Sequence, residues 1–378
     1  MDALLIGTGG TAGWPQPGCR CASCMRASSA GVHRAPGRVL VDRALEFIPG
    51  RSSTEVPPQA APAHRVEQLP GGWDITGPDG GRLLLAAGPG EIPEPPDGSA
   101  PYDIALLDLL ASPAQLGLLR STGLVRGQTA VAALYTDHRI RSAEELDRRC
   151  ELWGASPGQD GQLITTRQAA VRPPGQRPYR TLIIGGARSG KSTEAELRLA
   201  GEPRVTYLAA GPWAAAESWT GPDGEPDAEW EGRVARHRAR RPQWWQTAET
   251  LDVAAALRRE TGALLIDGIG TWLAGIMAEA GMWAADATTM QARTAEAEPS
   301  GLEPGHALAA KVDELIDAWR QTSALVVAVT DQVGSGLVPV YPAGRIFRDQ
   351  LGWLNQRLAA ESELNLQVVA GVVGSLPG

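Results

Sequence analysis

Residues Thr181-Leu182-Ile183-Ile184-Gly185-Gly186-Ala187-Arg188-Ser189-Gly190-Lys191-Ser192 run from a β-prone apolar segment into a glycine-rich turn. A helix-forming stretch, Ser192-Thr193-Glu194-Ala195-Glu196-Leu197, follows at once. Gly185 to Ser192 fits G-x-x-x-x-G-K-[ST], and the strand, loop and helix context is that of a P-loop. Glycines let the backbone turn tightly enough for successive N–H groups and the helix N-terminus to face phosphate oxygens. Lys191 would place a point charge on the β/γ-phosphates, and the Ser192 hydroxyl would hold Mg²⁺. Gly185, Gly186, Ala187, Arg188, Ser189, Gly190, Lys191 and Ser192 are therefore expected to bind a nucleoside triphosphate.

Four more apolar runs follow the loop. Arg204–Ala210 reads as a second strand, Ala263–Asp267 as a third, Ala324–Thr330 as a fourth and Leu366–Ala370 as a fifth. The third ends in an acid, the Walker-B pattern, in which Asp267 would orient Mg²⁺ from the carboxyl end of its strand. Helical stretches alternate with these runs, so the expected fold class is α/β, a mainly parallel sheet flanked by helices. Ligands belong at the carboxyl ends of such strands.

The chain has 378 residues, enough for two domains with cores of their own. Its 45 glycines and 29 prolines fall short of general disorder, and 43% hydrophobic residues imply a folded protein. A formal net charge of −8 argues against nucleic acid or a membrane surface as the main partner. Asp267 breaks the longest apolar candidate, Ala263–Met277, so no membrane span is expected. No basic segment precedes the apolar residues that follow Met1, and the expected location is the cytoplasm.

In the first half, Ala3–Ile6 reads as a buried strand and Gly7–Gly10 as a turn. Cys19, Cys21 and Cys24 then form a C-x-C-x₂-C cluster. Three thiolates this close suit one soft ion in a reducing compartment better than disulfides. Tetrahedral Zn²⁺ needs a fourth ligand. Cys150 shares helical spacing with Leu146 and Trp153 and reads as core; His138, just after the strand-like run Thr129–Leu134, is the better ligand. Pro173, Pro174 and Pro178 make a stiff connection between the halves. The expected domains are residues 1–170, a linker at 171–179, and residues 180–378.

The segment Glu229–Glu249 holds the remaining candidate. Trp230, Val234 and His237 fall on one helical face that Pro242 limits, and Arg233, Arg236, Arg238, Arg240 and Arg241 surround the histidine. So many guanidinium groups suit a polyphosphate, and like-charge repulsion would favour the neutral, nucleophilic imidazole. On spacing alone, a core-facing histidine with water-facing arginines stands equally open.

Two resemblances bear on these readings. Leu5-Ile6-Gly7-Thr8-Gly9-Gly10 with the cysteine cluster resembles the start of metallo-β-lactamase-fold phosphodiesterases of the phosphonate-pathway type, in which such a cluster and a late histidine hold a structural zinc. The H-x-H-x-D-H motif of that family's catalytic metals is missing, and Tyr135 stands where a further metal-binding histidine belongs. With Pro/Gly-rich Pro57–Pro62 and Gly88–Pro101 in place of longer elements, residues 1–170 resemble a shortened, degenerate hydrolase domain. From about Arg180 onward, Gly185–Ser192, Arg233–Arg238, Trp245–Glu249, Asp267, Val338-Pro339 and Asn355–Leu358 occur in the order and spacing of bifunctional adenosylcobinamide kinase/adenosylcobinamide-phosphate guanylyltransferases.

That second resemblance implies two transfers at one nucleotide site. ATP or GTP would phosphorylate adenosylcobinamide, with Lys191 and Asp267 as catalytic residues. GMP would then pass from GTP through His237 to adenosylcobinamide phosphate. Arg238, Ala239, Arg240, Arg241 and Glu249, together with Ala209, Ala210 and Gly211, match nucleotide-contacting positions. The resemblance also implies a homo-oligomer, a trimer. The family usually carries a glutamate where this chain has Gln332, which cannot serve as a carboxylate; Asp331 stands beside it. The link Gly211–Ala228 is also longer than usual. The competing reading is a P-loop kinase for another small molecule with a structural His237. A GTP-binding regulatory module would carry N-K-x-D, which is absent.

Overall fold

The computed structural model describes residues 1–48, 63–87, 99–166, 178–211, 241–282 and 304–377, and Gly232, Ala235 and Ala239 singly. They form two compact units, Met1–Gly175 with Ala200–Pro203, and Gln176–Leu199 with Arg204–Gly378.

The second unit follows from the alternation of apolar strands and amphipathic helices. In chain order it contains β11 (Arg180–Gly185), α4 (Lys191–Leu199), β12 (Val205–Ala209), β13 (Gln246–Glu249), α5 (Val253–Arg259), β14 (Ala263–Asp267), α6 (Ile269–Glu279), α7 (Pro304–Gln321), β15 (Leu325–Asp331), α8 (Pro342–Ala360), β16 (Leu364–Val369) and β17 (Val372–Ser375). The sheet order is β13-β12-β14-β15-β11-β16-β17. All pairs are parallel except β16 with β17. Side chains alternate across the strands. Leu264, Ile266, Val326 and Ala328 meet α5, α6, α7 and α8 on one face, while Ile183, Leu265, Val327 and Val329 meet α4 on the other. Because both faces are covered, these strands read as unbroken apolar runs. Each fully buried Leu, Ile or Val stabilises the layer by about 1.5–3 kcal/mol. The helix after the loop begins at Lys191, one residue earlier than expected.

Two strands of this sheet escaped the five-strand expectation. β13 is an edge strand of sequence Gln-Thr-Ala-Glu, mostly exposed, and pairing with β12 rather than an apolar pattern defines it. β17 exists as the return arm of a hairpin, with Ala370 and Gly371 at positive φ in the turn.

The first unit is also mixed α/β. Its elements are β1 (Asp2–Gly7), α1 (Ala22–Ser29), β2 (Arg38–Val41), β3 (Leu45–Phe47), β4 (Arg65–Leu69), β5 (Gly72–Thr76), β6 (Arg82–Ala86), β7 (Ile104–Leu107), α2 (Ala114–Ser121), β8 (Ala130–Ala133), α3 (Ala143–Trp153), β9 (Ser156–Pro157) and β10 (Gln162–Thr165). One sheet has the order β10-β1-β2-β3, the other β4-β5-β6-β7-β8-β9. Their inner faces share one core that includes Leu5, Val39, Ile75, Leu85, Ile104 and Ala132. The expectation named only two of these strands, those containing Ala3–Ile6 and Ala130–Ala133. The hairpin β2–β3 is short, and nearly all residues of β4 and β5 are only partly buried or exposed, which leaves little apolar signal. Cys150 is buried on α3 beside Leu146 and Trp153, with Ser142 as N-cap and Gly154 as a left-handed C-cap. Pro57–Pro62, most of Gly88–Pro101 and nearly all of the linker 171–179 lie outside the described residues.

Candidate functional site

β11 delivers its chain to the loop at Gly185, where only glycine fits. A Cβ there would lie 2.5 Å from Ser189 Oγ and 2.8 Å from the Val368 carbonyl oxygen. Gly190 has φ of 100°, a value costly for any side chain, and packs against Gly371 of the β16–β17 hairpin. The Gly371 amide donates to the Ser189 carbonyl at 2.7 Å, so the hairpin tip props the loop. Arg188 also takes a left-handed φ, 56°. Beside Gly186, no atom of the described residues other than its chain neighbours lies within 4 Å of where a Cβ would sit, room for a ligand to approach the backbone closely.

Lys191 and Ser192 open α4. The Lys191 Nζ donates to the Gly186 carbonyl at 3.1 Å and pairs with Asp331 Oδ1 at 2.9 Å. The Ser192 hydroxyl lies 3.4 Å from Asp267 Oδ1, at the end of β14. The structure thus brings Asp267 to the loop residues Lys191 and Ser192 from 75 positions away. A hydroxyl and a carboxylate facing each other form a hard oxygen donor set of the kind Mg²⁺ takes.

A residue that sequence reasoning missed completes this corner. The Tyr207 hydroxyl donates to Asp267 Oδ2, and burial, then the Asp267 charge, raises the phenol pKa far above its usual range. The Arg241 guanidinium stacks 3.3 Å above the Tyr207 ring centroid. In the sequence Tyr207 is one more apolar residue of a strand, and only the parallel pairing of β12 with β14 puts it beside Asp267.

Ala209 and Ala210 follow at the end of β12, where the Ala210 amide reaches the Asp267 carbonyl at 3.4 Å and the Thr250 amide the Ala209 carbonyl at 3.3 Å. Gly211 comes next, half-buried. Arg241 and Glu249 line one open cleft of about 570 Å³ with Pro242, Gln243, Trp245 and Thr247. Gly232, Ala235 and Ala239 are helical, Ala239 being exposed. His237, Arg238 and Arg240 lie outside the described residues.

In the first unit, Cys19, Cys21, Cys24 and His138 converge, their ligand atoms all within 4.8 Å of one another. Cys21 is the N-cap of α1 and Cys24 lies in its first turn. The Ser23 hydroxyl ties this turn to the histidine's turn by donating to the Ile140 carbonyl at 2.5 Å, and it accepts from Trp14 Nε1 at 3.0 Å. Cys19 Sγ and His138 Nδ1 are 3.9 Å apart. Sulfurs about 2.3 Å from a tetrahedral zinc lie roughly 3.8 Å apart, so small side-chain shifts suffice for the donors to fit that ion. Burial pushes the Cys24 thiol up to about 11, and a metal taking this sulfur must displace its proton. Tyr135 is buried with φ of 60°, and the buried Asp108 pairs with Arg139 at 3.1 Å.

Residues 181–376 match the family model described as cobinamide kinase / cobinamide phosphate guanyltransferase. The chain is 32% identical over 205 residues to the bifunctional adenosylcobalamin biosynthesis protein CobP of Pseudomonas aeruginosa, covering 53% of this chain and 98% of that one. It is 33% identical over 199 residues to CobU of Salmonella typhimurium, covering 50% and 96%. CobU of Escherichia coli is 30% identical over 195 residues, covering 50% and 96%. Among solved structures, zinc-bound PqqB of Methylobacterium extorquens aligns over 44% of this chain and all of that one, with 13% identity and a TM-score of 0.30, too low to identify a fold.

Proposed function

This chain belongs to the cobinamide kinase / cobinamide phosphate guanyltransferase family, and on that premise we propose that one nucleotide site in residues 180–378 serves both transfers of cobalamin biosynthesis. Supporting this reading is the convergence of Lys191, Ser192 and Asp267 at the carboxyl ends of β11 and β14, the two strands that flank β15, within the matched region.

In the first transfer, Lys191 and the loop amides orient the γ-phosphate of ATP or GTP toward the hydroxyl on the aminopropanol arm of adenosylcobinamide. Positioning and charge neutralisation supply most of the rate. Ser192 and Asp267 would hold Mg²⁺, which supplies positive charge to the phosphates when bound. In the second, the His237 imidazole attacks the α-phosphorus of GTP and pyrophosphate leaves; the histidine-bound GMP is then taken by adenosylcobinamide phosphate. Arg238, Arg240 and Arg241 stabilise the departing charge, and Glu249 and Ala239 help hold the nucleotide.

Turnover of adenosylcobinamide with GTP tests the reading, with both the phosphorylated and the GDP-linked product followed. Absence of both would overturn it, and phosphorylation indifferent to GTP, with no GDP-linked product, would favour a simple kinase. Tyr207→Phe should raise the Mg²⁺ concentration for half-maximal turnover about 10-fold, because Asp267 loses the donor that orients it. An unchanged Mg²⁺ dependence would reduce Tyr207 to packing.

Residues 1–170 are a degenerate metallo-β-lactamase-like domain joined by the linker 171–179. Cys19, Cys21, Cys24 and His138 would hold a zinc ion that supplies structural cross-linking. Metal analysis is expected to find one zinc per chain, lost on His138→Ala; two or more, with phosphodiesterase activity, would contradict a scaffold role. The protein acts in the cytoplasm as a homo-oligomer, a trimer by resemblance. Exposed Leu337, Val338, Val340 and Tyr341 support association. Among the described residues no helix is long and apolar enough to cross a membrane.

A further inference from the structure

The register of the sheet brings a second carboxylate to the glycine loop. β15 runs beside β11 with Asp331 opposite Gly185, and Asp331 Oδ1 meets Lys191 Nζ at 2.9 Å. The neighbouring amide is engaged elsewhere. Gln332 Nε2 donates to Ser335 Oγ at 2.8 Å, and its Oε1 accepts from Gln367 Nε2 at 3.0 Å. Its backbone amide donates to the Gly185 carbonyl at 3.1 Å.

Asp331 is held at its backbone, leaving its side chain for other work. Asn355 Nδ2 donates to the Asp331 carbonyl at 3.1 Å, and Asn355 Oδ1 accepts from the Thr330 hydroxyl at 2.7 Å. The first turn of α6 comes so close that a Cβ on Gly270 would sit 2.9 Å from Asp331 Oδ2. Even so, the carboxylate side chain is 43% exposed, so a substrate hydroxyl can reach it from solvent.

Resting on the function proposed above, we propose that Asp331 is the catalytic base of the kinase step, carrying the carboxylate role that Gln332 cannot. As the substrate oxygen bonds to the γ-phosphorus, its proton passes to Asp331. The bond from that phosphorus to the β,γ-bridging oxygen breaks, and the nucleoside diphosphate leaves with the electron pair. Before nucleotide arrives, Asp331 and Lys191 neutralise each other. The triphosphate then gives the lysine a more highly charged partner, and the carboxylate turns to the hydroxyl. GMP transfer needs no such base, because the attacking phosphate monoester is already ionised at neutral pH.

The test is Asp331→Asn in the full-length protein, with both half-reactions measured on the same preparation. The kinase kcat should fall about 100-fold, the usual scale for loss of a general base. The nucleotide KM should stay within about threefold, and so should conversion of adenosylcobinamide phosphate to its GDP-linked product, which also reports that the variant is folded. Asp331→Glu, which keeps the carboxylate, should retain at least about one tenth of the kinase rate. If Asp331 only parks Lys191, Asp331→Asn would lower the nucleotide KM and leave kcat intact, overturning the assignment. Equal loss of both half-reactions would overturn it too. A wild-type protein that makes no phosphorylated corrinoid sinks the function itself, whereas an active wild type matched by Asp331→Asn sinks only the role of Asp331.

Discussion

His237→Ala is expected to leave no protein-bound label after incubation with α-labelled GTP, and to make no GDP-linked corrinoid, while phosphorylation of adenosylcobinamide continues. A covalent nucleophile splits one difficult displacement into two easier ones, so its removal deletes the path rather than slowing it. The label on the wild type should be acid-labile and base-stable, as a phosphoramidate is. An unlabelled wild type, or equal labelling of the variant, would contradict a histidine-bound intermediate. Ping-pong kinetics in the second half-reaction is the companion observation.

Lys191→Ala is expected to impair both reactions together, each by about 10²–10³-fold in kcat/KM, the range for removing one preorganised charge or donor from a transition state. The shared loss follows from position. Lys191 is the first residue of α4, spans back to the Gly186 carbonyl and pairs with Asp331 across the strand ends. Alanine is an excellent helix former, so α4 should persist and the thermal transition should move little. Loss of only one activity would show two separate nucleotide sites.

These two predictions differ in how far the sequence supports them. The loop around Lys191 was legible because its geometry is local: spacing, glycines and flanking propensities all lie within a dozen residues. The strands β11, β12, β14 and β15 were legible for a related reason. A strand covered on both faces must be apolar throughout, and Leu264-Leu265-Ile266 or Val326-Val327-Ala328 announces that without any partner in view. His237 stands on family resemblance, since its residue pattern alone left a packing helix equally open.

The edge strand β13 and the hairpins of the first unit show the opposite case. Gln246–Glu249 has no apolar rhythm, and backbone pairing to Thr206–Ala209 makes it a strand. Glu249 and Arg241 consequently line the same cleft, though eight positions separate them in the sequence. Tyr207 illustrates the same limit from inside the core. A strand tyrosine normally reads as packing, and its bond to Asp267 depends on a neighbour 60 residues away.

By itself the sequence determined that a phosphate-binding loop exists, that a parallel sheet carries it, and that three cysteines stand ready near the N-terminus. Each is encoded in short-range spacing or in uninterrupted apolar runs. Tertiary structure decided which distant side chains share a site. Strand register set Asp331 against Lys191 and Tyr207 against Asp267, and the β8 turn carried His138 to Cys19 from 119 residues away. Such pairings arise when strands lock side by side, because hydrogen-bonded register converts remote positions into neighbours a few ångströms apart.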